Sequence, residues 1–288
     1  MAIKSILVLV DDDTPDGRHA LETGFETARR FSAQVTGLHI KNDPLTSLPY
    51  VTEGMSPMAV EGLVDALRER DDERALRARK AFNDIADRLG FLPQTKISGA
   101  SATTVWIEET GPDGVVVSER ARVSDLVVLS HAIENQTDSA REILDATIFD
   151  SGAPVLLVPA CDHKAPGLRI GIGWNKGTLA SRAVRNAMPF LELADEIVIF
   201  QIETGAKSGP SAEDLAVFLA LHDVTASVRR LIPDRLSVAE RLLTEAANAE
   251  LDMLVMGAYS HSRLAQMVLG GVTHDILSRA ELPILMSH

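Results

Sequence analysis

The chain has 288 residues, 45% of them hydrophobic, and a formal net charge of −13. This length allows one large domain or two of roughly 140 residues. The acidic charge disfavours nucleic-acid phosphates and anionic lipid as partners, and no apolar stretch approaches the ~20 residues of a membrane span. We therefore expect neither a nucleic-acid nor a membrane partner. The single cysteine, Cys161, and an N-terminus without a signal-peptide pattern favour a cytoplasmic location.

A strand followed by a helix opens the chain, and the same pair occurs again later. Ser5–Val10 is a continuous apolar run that ends at Asp11, and Thr14–Ser32 has apolar residues at helical spacing. Leu168–Gly173 and Leu179–Leu193 repeat that order. The sequence therefore predicts an internal duplication.

Two further segments also occur twice. DLVVL at Asp125–Leu129 matches DMLVM at Asp252–Met256, and GAPVLLV at Gly152–Val158 matches ELPILM at Glu281–Met286. Each half thus contains apolar strands that alternate with helices. Such a pattern is typical of a mostly parallel sheet with right-handed crossovers and helices on both faces.

The two halves differ in length, and the excess of the first half falls largely in Asn42–Lys80. That segment begins as a proline-rich loop and continues as a charged helical run, whose three- and four-residue charge spacing predicts a solvated helix face. A short linker follows the first half at Pro159–Gly167. We predict two domains, residues 1–164 with the helical insertion near 42–80, and residues 165–288.

Ligands of open parallel sheets bind beyond the carboxyl ends of the strands, where helix N-termini offer unpaired N–H groups. In the second half, three segments should meet at that edge. They are Gly173–Asn175, Gln201–Glu203 and the stretch MGAYSHSRLAQMVLGGVT at Met256–Thr273. The last stretch contains glycines, hydroxyls and a histidine, so it is the first candidate for a ligand loop.

The duplicated strand–helix pattern and this loop resemble the universal stress protein (UspA-like) family in its tandem-domain form. The family motif G-x2-G-x9-G-[ST] fits the loop without gaps. Gly257, Ser260 and Gly270 take the three glycine positions, and Gly271 takes the hydroxyl position. The resemblance covers nearly the whole chain. It implies two tandem flavodoxin-like (adenine nucleotide alpha hydrolase-like) α/β domains, each a mostly parallel five-stranded sheet with helices on both faces.

The resemblance also implies an adenine nucleotide site, expected in the C-terminal domain only, with ATP and an accompanying Mg²⁺ as the ligands. The residues implicated for the base are Asn175 and Ile202. The residues implicated for the ribose and phosphates are Met256, Gly257, Ser260, Gly270, Gly271, Val272 and Thr273. His261, in the same loop, could add charge or hydrogen bonds to a ligand there.

Three departures from the family pattern leave an alternative open. Ser260 replaces a glycine, at a cost of roughly 1 kcal/mol if that position needs a positive φ. Gly271 replaces a hydroxyl, and Asn175 replaces a carboxylate. The alternative is therefore an interaction scaffold or apolar-ligand carrier without nucleotide. The first half has no glycine between its DLVVL strand and Gly152, which predicts a degenerate domain without nucleotide.

A remote alternative comes from VDDDT at Val10–Thr14, which resembles the start of a haloacid-dehalogenase-type phosphatase. Asp11 would be the nucleophile and Asp13 the acid/base. The late acidic pair that such an enzyme needs for Mg²⁺ is missing at the fourth strand, and its fold does not explain the duplication. We assign no catalytic and no metal-binding residues, so slow ATP hydrolysis is the most that is expected.

The remaining expectations concern assembly and two ring side chains. The resemblance implies that the last strands of the two domains, Val155–Pro159 and Pro283–Ser287, pair in an intramolecular pseudo-dimer. This pairing would also cover apolar edge strands, which are a liability when exposed. A homo-oligomer is compatible with the sequence. We interpret His39 as a hydrogen-bonded strand residue, and Trp174 as a residue that fills a cleft rather than covers a ligand. The predicted function is a cytoplasmic stress-response binding or sensing module.

Overall fold

The computed structural model of the protein describes residues 2–12, 14–41, 55–94, 103–131, 138–161, 165–202, 208–231, 236–258 and 272–288. These residues form a mixed α/β structure. Its helices are α1 (Pro15–Phe31), α2 (Pro57–Arg88), α3 (Asp113–Ala121), α4 (Asp138–Asp150), α5 (Thr178–Leu191), α6 (Ala212–Ala220), α7 (Val238–Asn248) and α8 (Val272–Leu277). Its strands are β1 (Ser5–Leu9), β2 (Gln34–Lys41), β3 (Leu92–Pro93), β4 (Thr103–Thr110), β5 (Leu126–His131), β6 (Val155–Pro159), β7 (Arg169–Trp174), β8 (Glu196–Ile202), β9 (Ser227–Leu231), β10 (Met253–Gly257) and β11 (Ile284–Ser287).

All of these strands lie in one sheet, in the order β3-β4-β2-β1-β5-β6-β11-β10-β7-β8-β9. The order β4-β2-β1-β5-β6 in the first half corresponds to β9-β8-β7-β10-β11 in the second. Every neighbouring pair within a half is parallel. This doubly wound arrangement confirms the predicted fold class. The first half differs from the expected five strands, because the two-residue strand β3 extends its outer edge.

An antiparallel pair, β6 with β11, joins the halves at the centre of the sheet. Leu156 lies opposite Leu285, and Val155 lies opposite Met286. The repeated sequence makes Leu156 and Leu285 equivalent positions, so the register is symmetric about this leucine pair. Both strands are buried, and each would be an apolar sheet edge without the other. The structure therefore pairs β6 with β11, the two strands that the sequence analysis singled out.

Helices α1 and α5 also contact each other across the junction. The rings of Phe31 and Phe190 meet edge to face, with centroids 4.9 Å apart. The Arg30 guanidinium donates to the carbonyl oxygen of Leu193 at 2.7 Å. The junction therefore combines sheet pairing, an aromatic contact and a charge-assisted hydrogen bond.

Two hydrophobic cores cover the two faces of the sheet. Alternation along β1 sends Ile6 and Val8 into one core and Leu7 into the other. Phe25 of α1 lies in the first core, and Val117 of α3 lies in the second. The continuous apolar strands are explained by this arrangement, because each strand is buried on both faces.

The predicted helical insertion contains α2, a helix of 32 residues. The Ser56 side chain accepts a hydrogen bond from the backbone N–H of Ala59, and Pro57 occupies the first turn. The C-terminal part packs Phe82 and Ile85 into the first core. Neither α2 nor any other helix in the described ranges is long and apolar enough to cross a membrane.

A carboxylate at the start of each repeated DLVVL or DMLVM segment holds the first strand of its half by accepting backbone hydrogen bonds. Asp252 accepts backbone N–H bonds of 2.7–3.0 Å from residues 167–169. Asp125 accepts bonds of 2.8 and 2.9 Å from residues 4–5. The aspartate of the repeat therefore has a structural function at equivalent places in both halves.

We expect Asp252→Ala to lower the free energy of unfolding by about 3 kcal/mol, because it leaves buried N–H donors without their charged acceptor. Asp252 is 5% exposed. Asp125→Ala, at a half-buried site with fewer donors, should cost only about 1–2 kcal/mol. Urea denaturation followed by circular dichroism measures both values. Equal stability of Asp252→Ala and the unmodified protein would contradict this interpretation.

Candidate functional site at the carboxyl edges of the strands

Three strand ends singled out from the sequence lie side by side. Gly257, Asn175 and Ile202 are at the carboxyl ends of β10, β7 and β8, which are neighbours in that order. The strand registers put these residues within one residue of the same height. Adjacent strands lie roughly 4.8 Å apart, so one small ligand can reach all three positions.

The other predicted nucleotide residues divide into two groups. Val272 and Thr273 begin α8, with Val272 exposed and Thr273 buried, and Met256 is a buried residue of β10. Four further predicted positions lie outside the described residues, and their roles stay predictions. These four are Ser260, His261, Gly270 and Gly271.

Gly257 is required by packing, independently of any ligand. A Cβ atom at this position would lie 2.7 Å from the backbone nitrogen of Ala180 and 2.7 Å from the carbonyl carbon of Leu179. Both atoms belong to the first turn of α5, so β10 and α5 approach each other too closely for a side chain. The first glycine of the motif therefore does not by itself indicate a nucleotide.

Asn175 also has a structural partner. Its side-chain oxygen accepts a hydrogen bond of 2.9 Å from the backbone N–H of Gly177, the residue that caps α5. Asparagine commonly forms such a turn before a helix. The exchange of a carboxylate for an amide at this position therefore keeps the connection from β7 to α5.

Two large polar side chains beside this edge form hydrogen bonds within the protein. Trp174 is 4% exposed, and its ring nitrogen donates to the carbonyl oxygen of Pro210 at 3.0 Å. Gln201 is buried, and its side-chain oxygen accepts from the backbone N–H of Ala212 at 2.7 Å. Trp174 therefore fills the core beside α6, in agreement with the interpretation made from the sequence.

The equivalent edge of the first half contains a cavity of about 490 Å³. The repeat and the strand registers make Asp11 equivalent to Asn175, Ile40 to Ile202, and Ser130 to Gly257. Asp11, Ile40 and Ser130 all line the cavity. The cavity thus occupies the place that corresponds to the predicted nucleotide edge of the second half.

An arginine of α2 lies across this first-half edge. The Arg74 guanidinium contacts the Asp11 carboxylate at 2.6 Å and donates to the carbonyl oxygen of Ile40 at 2.9 Å. One turn further along α2, Arg77 forms two hydrogen bonds of 2.9 and 3.0 Å with the Asp12 carboxylate. Arg74 therefore bridges Asp11 and Ile40, which are the first-half equivalents of the two residues implicated for the base.

The sequence predicted a solvated charged face for α2, which describes most of its exposed residues but not Arg74. Charge spacing along a helix shows which residues share a face but not which part of the sheet that face meets. The signal that could have identified Arg74 is the set of three acids at the end of the first strand, since buried or partly buried carboxylates attract a partner.

The inner wall of the cavity includes a carboxylate in an unfavourable environment. Burial raises the pKa of Asp113, and the nearby Asp11 carboxylate raises it further, although a hydrogen bond from the Ser139 hydroxyl at 3.3 Å opposes the change. Carboxylates of α3 and of the β1 end therefore act on each other across this edge.

The phosphatase alternative finds little support at this edge. Asp11 and Asp12 are both paired with arginines, and Asp13 lies outside the described residues. Within the described ranges, no three His, Cys, Asp or Glu side chains are placed to hold a metal ion. The Mg²⁺ ligands that such an enzyme needs have no counterpart there.

Two histidines lie near the first-half edge. His39 is fully buried, with Nδ1 2.8 Å from the carbonyl oxygen of Val10, whereas its Nε2 has no hydrogen-bond partner in the described part of the chain. His131 lines the cavity, and its Nε2 hydrogen-bonds the carbonyl oxygen of Leu277 at the end of α8. Burial lowers the pKa of His131. His131 therefore links the first-half cavity to a helix of the second half.

Comparison with known proteins adds a family to this geometry. The model of the universal stress protein family matches residues 192–288. The match covers about a third of the chain, at its C-terminal end. The matched residues include β10, the glycine loop and α8. No sequence among the curated proteins matches the chain.

Solved structures with the same fold extend over nearly the whole chain. A universal stress protein from Archaeoglobus fulgidus DSM 4304 is 13% identical, covers 98% of this chain and 97% of its own, and superposes with a TM-score of 0.68. A putative universal stress protein from Pseudomonas aeruginosa UCBPP-PA14 is 16% identical, with coverages of 99% and 93% and a TM-score of 0.56. The resemblance to the tandem members of the universal stress protein family is confirmed.

We expect Gly257→Ala to lower the free energy of unfolding by about 1–3 kcal/mol in the absence of any nucleotide, because its methyl group meets the backbone of α5. Gly62→Ala is the matched control, since a Cβ at this position of α2 has no neighbour within 4 Å. That control should raise stability by about 0.5–1 kcal/mol. Thermal denaturation checks both, and a Gly257→Ala protein as stable as the unmodified one would contradict the packing requirement.

His131 predicts a pH dependence of stability. Its pKa in the folded protein is lowered from about 6.5, so the unfolded chain binds the proton more readily. The free energy of unfolding should therefore fall as pH drops below about 6.5. His131→Gln, whose amide can still donate to Leu277, should lose this component. Urea midpoints measured from about pH 7.5 to 5 test it, with exposed His222→Gln as the control. An unchanged profile for His131→Gln contradicts the prediction.

Proposed function

We propose that this protein is a cytoplasmic stress-response binding module whose second half binds ATP at the carboxyl edge of β10, β7 and β8. The observation that carries the proposal is the convergence of Gly257, Asn175 and Ile202 at one height on three neighbouring strands. The family match supports it, since residues 192–288 include the whole glycine loop. Parallel sheets of this type bind ligands at this edge.

The chemical groups at this edge are of the types that bind a nucleotide. Asn175 has an amide nitrogen that can donate to a base, and the strand end at Ile202 offers backbone groups. The segment from Gly257 to Thr273 leads into α8, and backbone N–H groups at such a junction attract phosphate oxygens. Bound Mg²⁺ would offset the charge of the triphosphate. The predicted site residues include no nucleophile with a positioned base, so we assign binding and sensing rather than rapid turnover.

Isothermal titration calorimetry with ATP and Mg²⁺ tests the proposal. We expect saturable heat from the unmodified protein below about 1 mM ATP. Gly270→Asp places a carboxylate in the predicted phosphate loop and should weaken binding at least about tenfold through like-charge repulsion. Gly62→Asp adds the same charge on the exposed face of α2 and should leave binding unchanged. The absence of heat from the unmodified protein would refute the ATP site.

A second candidate, a carrier or scaffold without nucleotide, is favoured by one specific observation. Gly257 and Asn175 both have structural partners at the start of α5, so they would be retained after the loss of a nucleotide. Native mass spectrometry of the purified protein separates the candidates. A retained adenine nucleotide supports the first, and a retained apolar molecule without nucleotide supports the second.

A further inference from the structure

The cavity of the first half differs in chemistry from the edge that we assign to ATP. Its floor is apolar, and its volume of about 490 Å³ lies in the range of small-molecule sites. The floor is formed by aliphatic side chains of four strands and of α4, among them Leu9, Leu129 and Ile143. A pocket of this size and floor suits an organic ligand rather than a bare ion.

The walls of the cavity are predominantly acidic. Among the described residues, the walls carry four carboxylates and two guanidinium groups, and burial lowers the pKa of His131, which favours its neutral form. Arg74 is already paired with Asp11 and Asp71, and Asp12 is paired with Arg77 from outside the cavity. Even with Arg77 included, the acids outnumber the bases. Such a lining repels phosphate groups and attracts a cation.

The chain itself demonstrates which cation this edge accepts. Arg74 places a guanidinium between the Asp11 carboxylate and the Ile40 carbonyl, so one charged and one backbone oxygen receive its N–H groups. The lining also includes Asp113 and Ser139, which present a second carboxylate and a hydroxyl. Both oxygen sets suit planar or tetrahedral N–H donors.

We propose that the first-half cavity is a binding site for a small organic cation, an alkylguanidinium or alkylammonium ion. Its alkyl group would lie on the apolar floor, and its charged group would contact Asp113 and Asp16. Arg74 closes the strand-end side of the cavity and supplies the charge balance for Asp11. The proposal does not depend on ATP binding, because it concerns the opposite half of the chain.

The test is isothermal titration calorimetry of the full chain with n-butylguanidinium chloride, in the absence of nucleotide. The matched neutral probe is n-butylurea, which has nearly the same shape without the charge. We expect the cation to bind at least about tenfold more tightly than the urea, as expected for hydrogen bonds to an ionised group. No heat at about 10 mM cation, or equal affinity for the two probes, would overturn the proposal.

Charge-removing variants locate the site. Asp113→Asn and, as a second variant, Asp16→Asn should each weaken the cation about tenfold and leave the weak binding of n-butylurea unchanged. Asp223→Asn is the control, because it removes an exposed carboxylate in the second half at a residue with a φ of 61°, which asparagine tolerates. Equal affinity in all three variants would place the cation elsewhere and overturn the proposal. Unchanged ATP heat in Asp113→Asn would show that the two sites are separate.

Discussion

The antiparallel pairing of β6 with β11 determines the arrangement of everything else in this protein. It converts two parallel sheets into one, and it reverses the direction of all strands between the halves. The carboxyl edge of the first half therefore lies on the opposite side of the sheet from the carboxyl edge of the second. Two ligand edges in one chain are thus kept apart by the pairing that holds the halves together, so different ligands can bind them without a steric conflict.

Helix α8 connects these two edges. Its first residues, Val272 and Thr273, belong to the predicted nucleotide loop, whereas its last residue, Leu277, accepts a hydrogen bond from His131 in the first-half cavity. A helix of six residues is only about 9 Å long, so its two ends lie close together. In the second half, the position equivalent to His131 is Ala258, which cannot make this bond. The connection is therefore asymmetric, although the fold is symmetric.

Much of the fold could be predicted because its causes are repeated in the sequence. Apolar strands buried on both faces and the DLVVL and DMLVM segments specify the strand order and the central pairing. The short strand β3 could not be predicted, since two residues carry no periodic signal. The contact of Arg74 with Asp11 could not be predicted either, because the spacing of charges within α2 does not determine where that helix packs on the sheet. The sequence indicated which residues lie near the predicted nucleotide edge. It did not indicate which of those residues already have a structural function.

That last distinction changes how the glycine motif should be interpreted. Gly257 leaves room for the first turn of α5, and Asn175 accepts a hydrogen bond from Gly177, which caps that helix. Both residues would therefore be retained whether or not a nucleotide binds. Residues that the fold requires carry little information on a ligand, even where they match a family motif. The informative positions are those whose role is still only predicted, which are Gly270 and the two substitutions, Ser260 and Gly271. The predicted phosphate-binding role of Gly270 is tested by placing a charge at that position, because a carboxylate there would repel a bound phosphate.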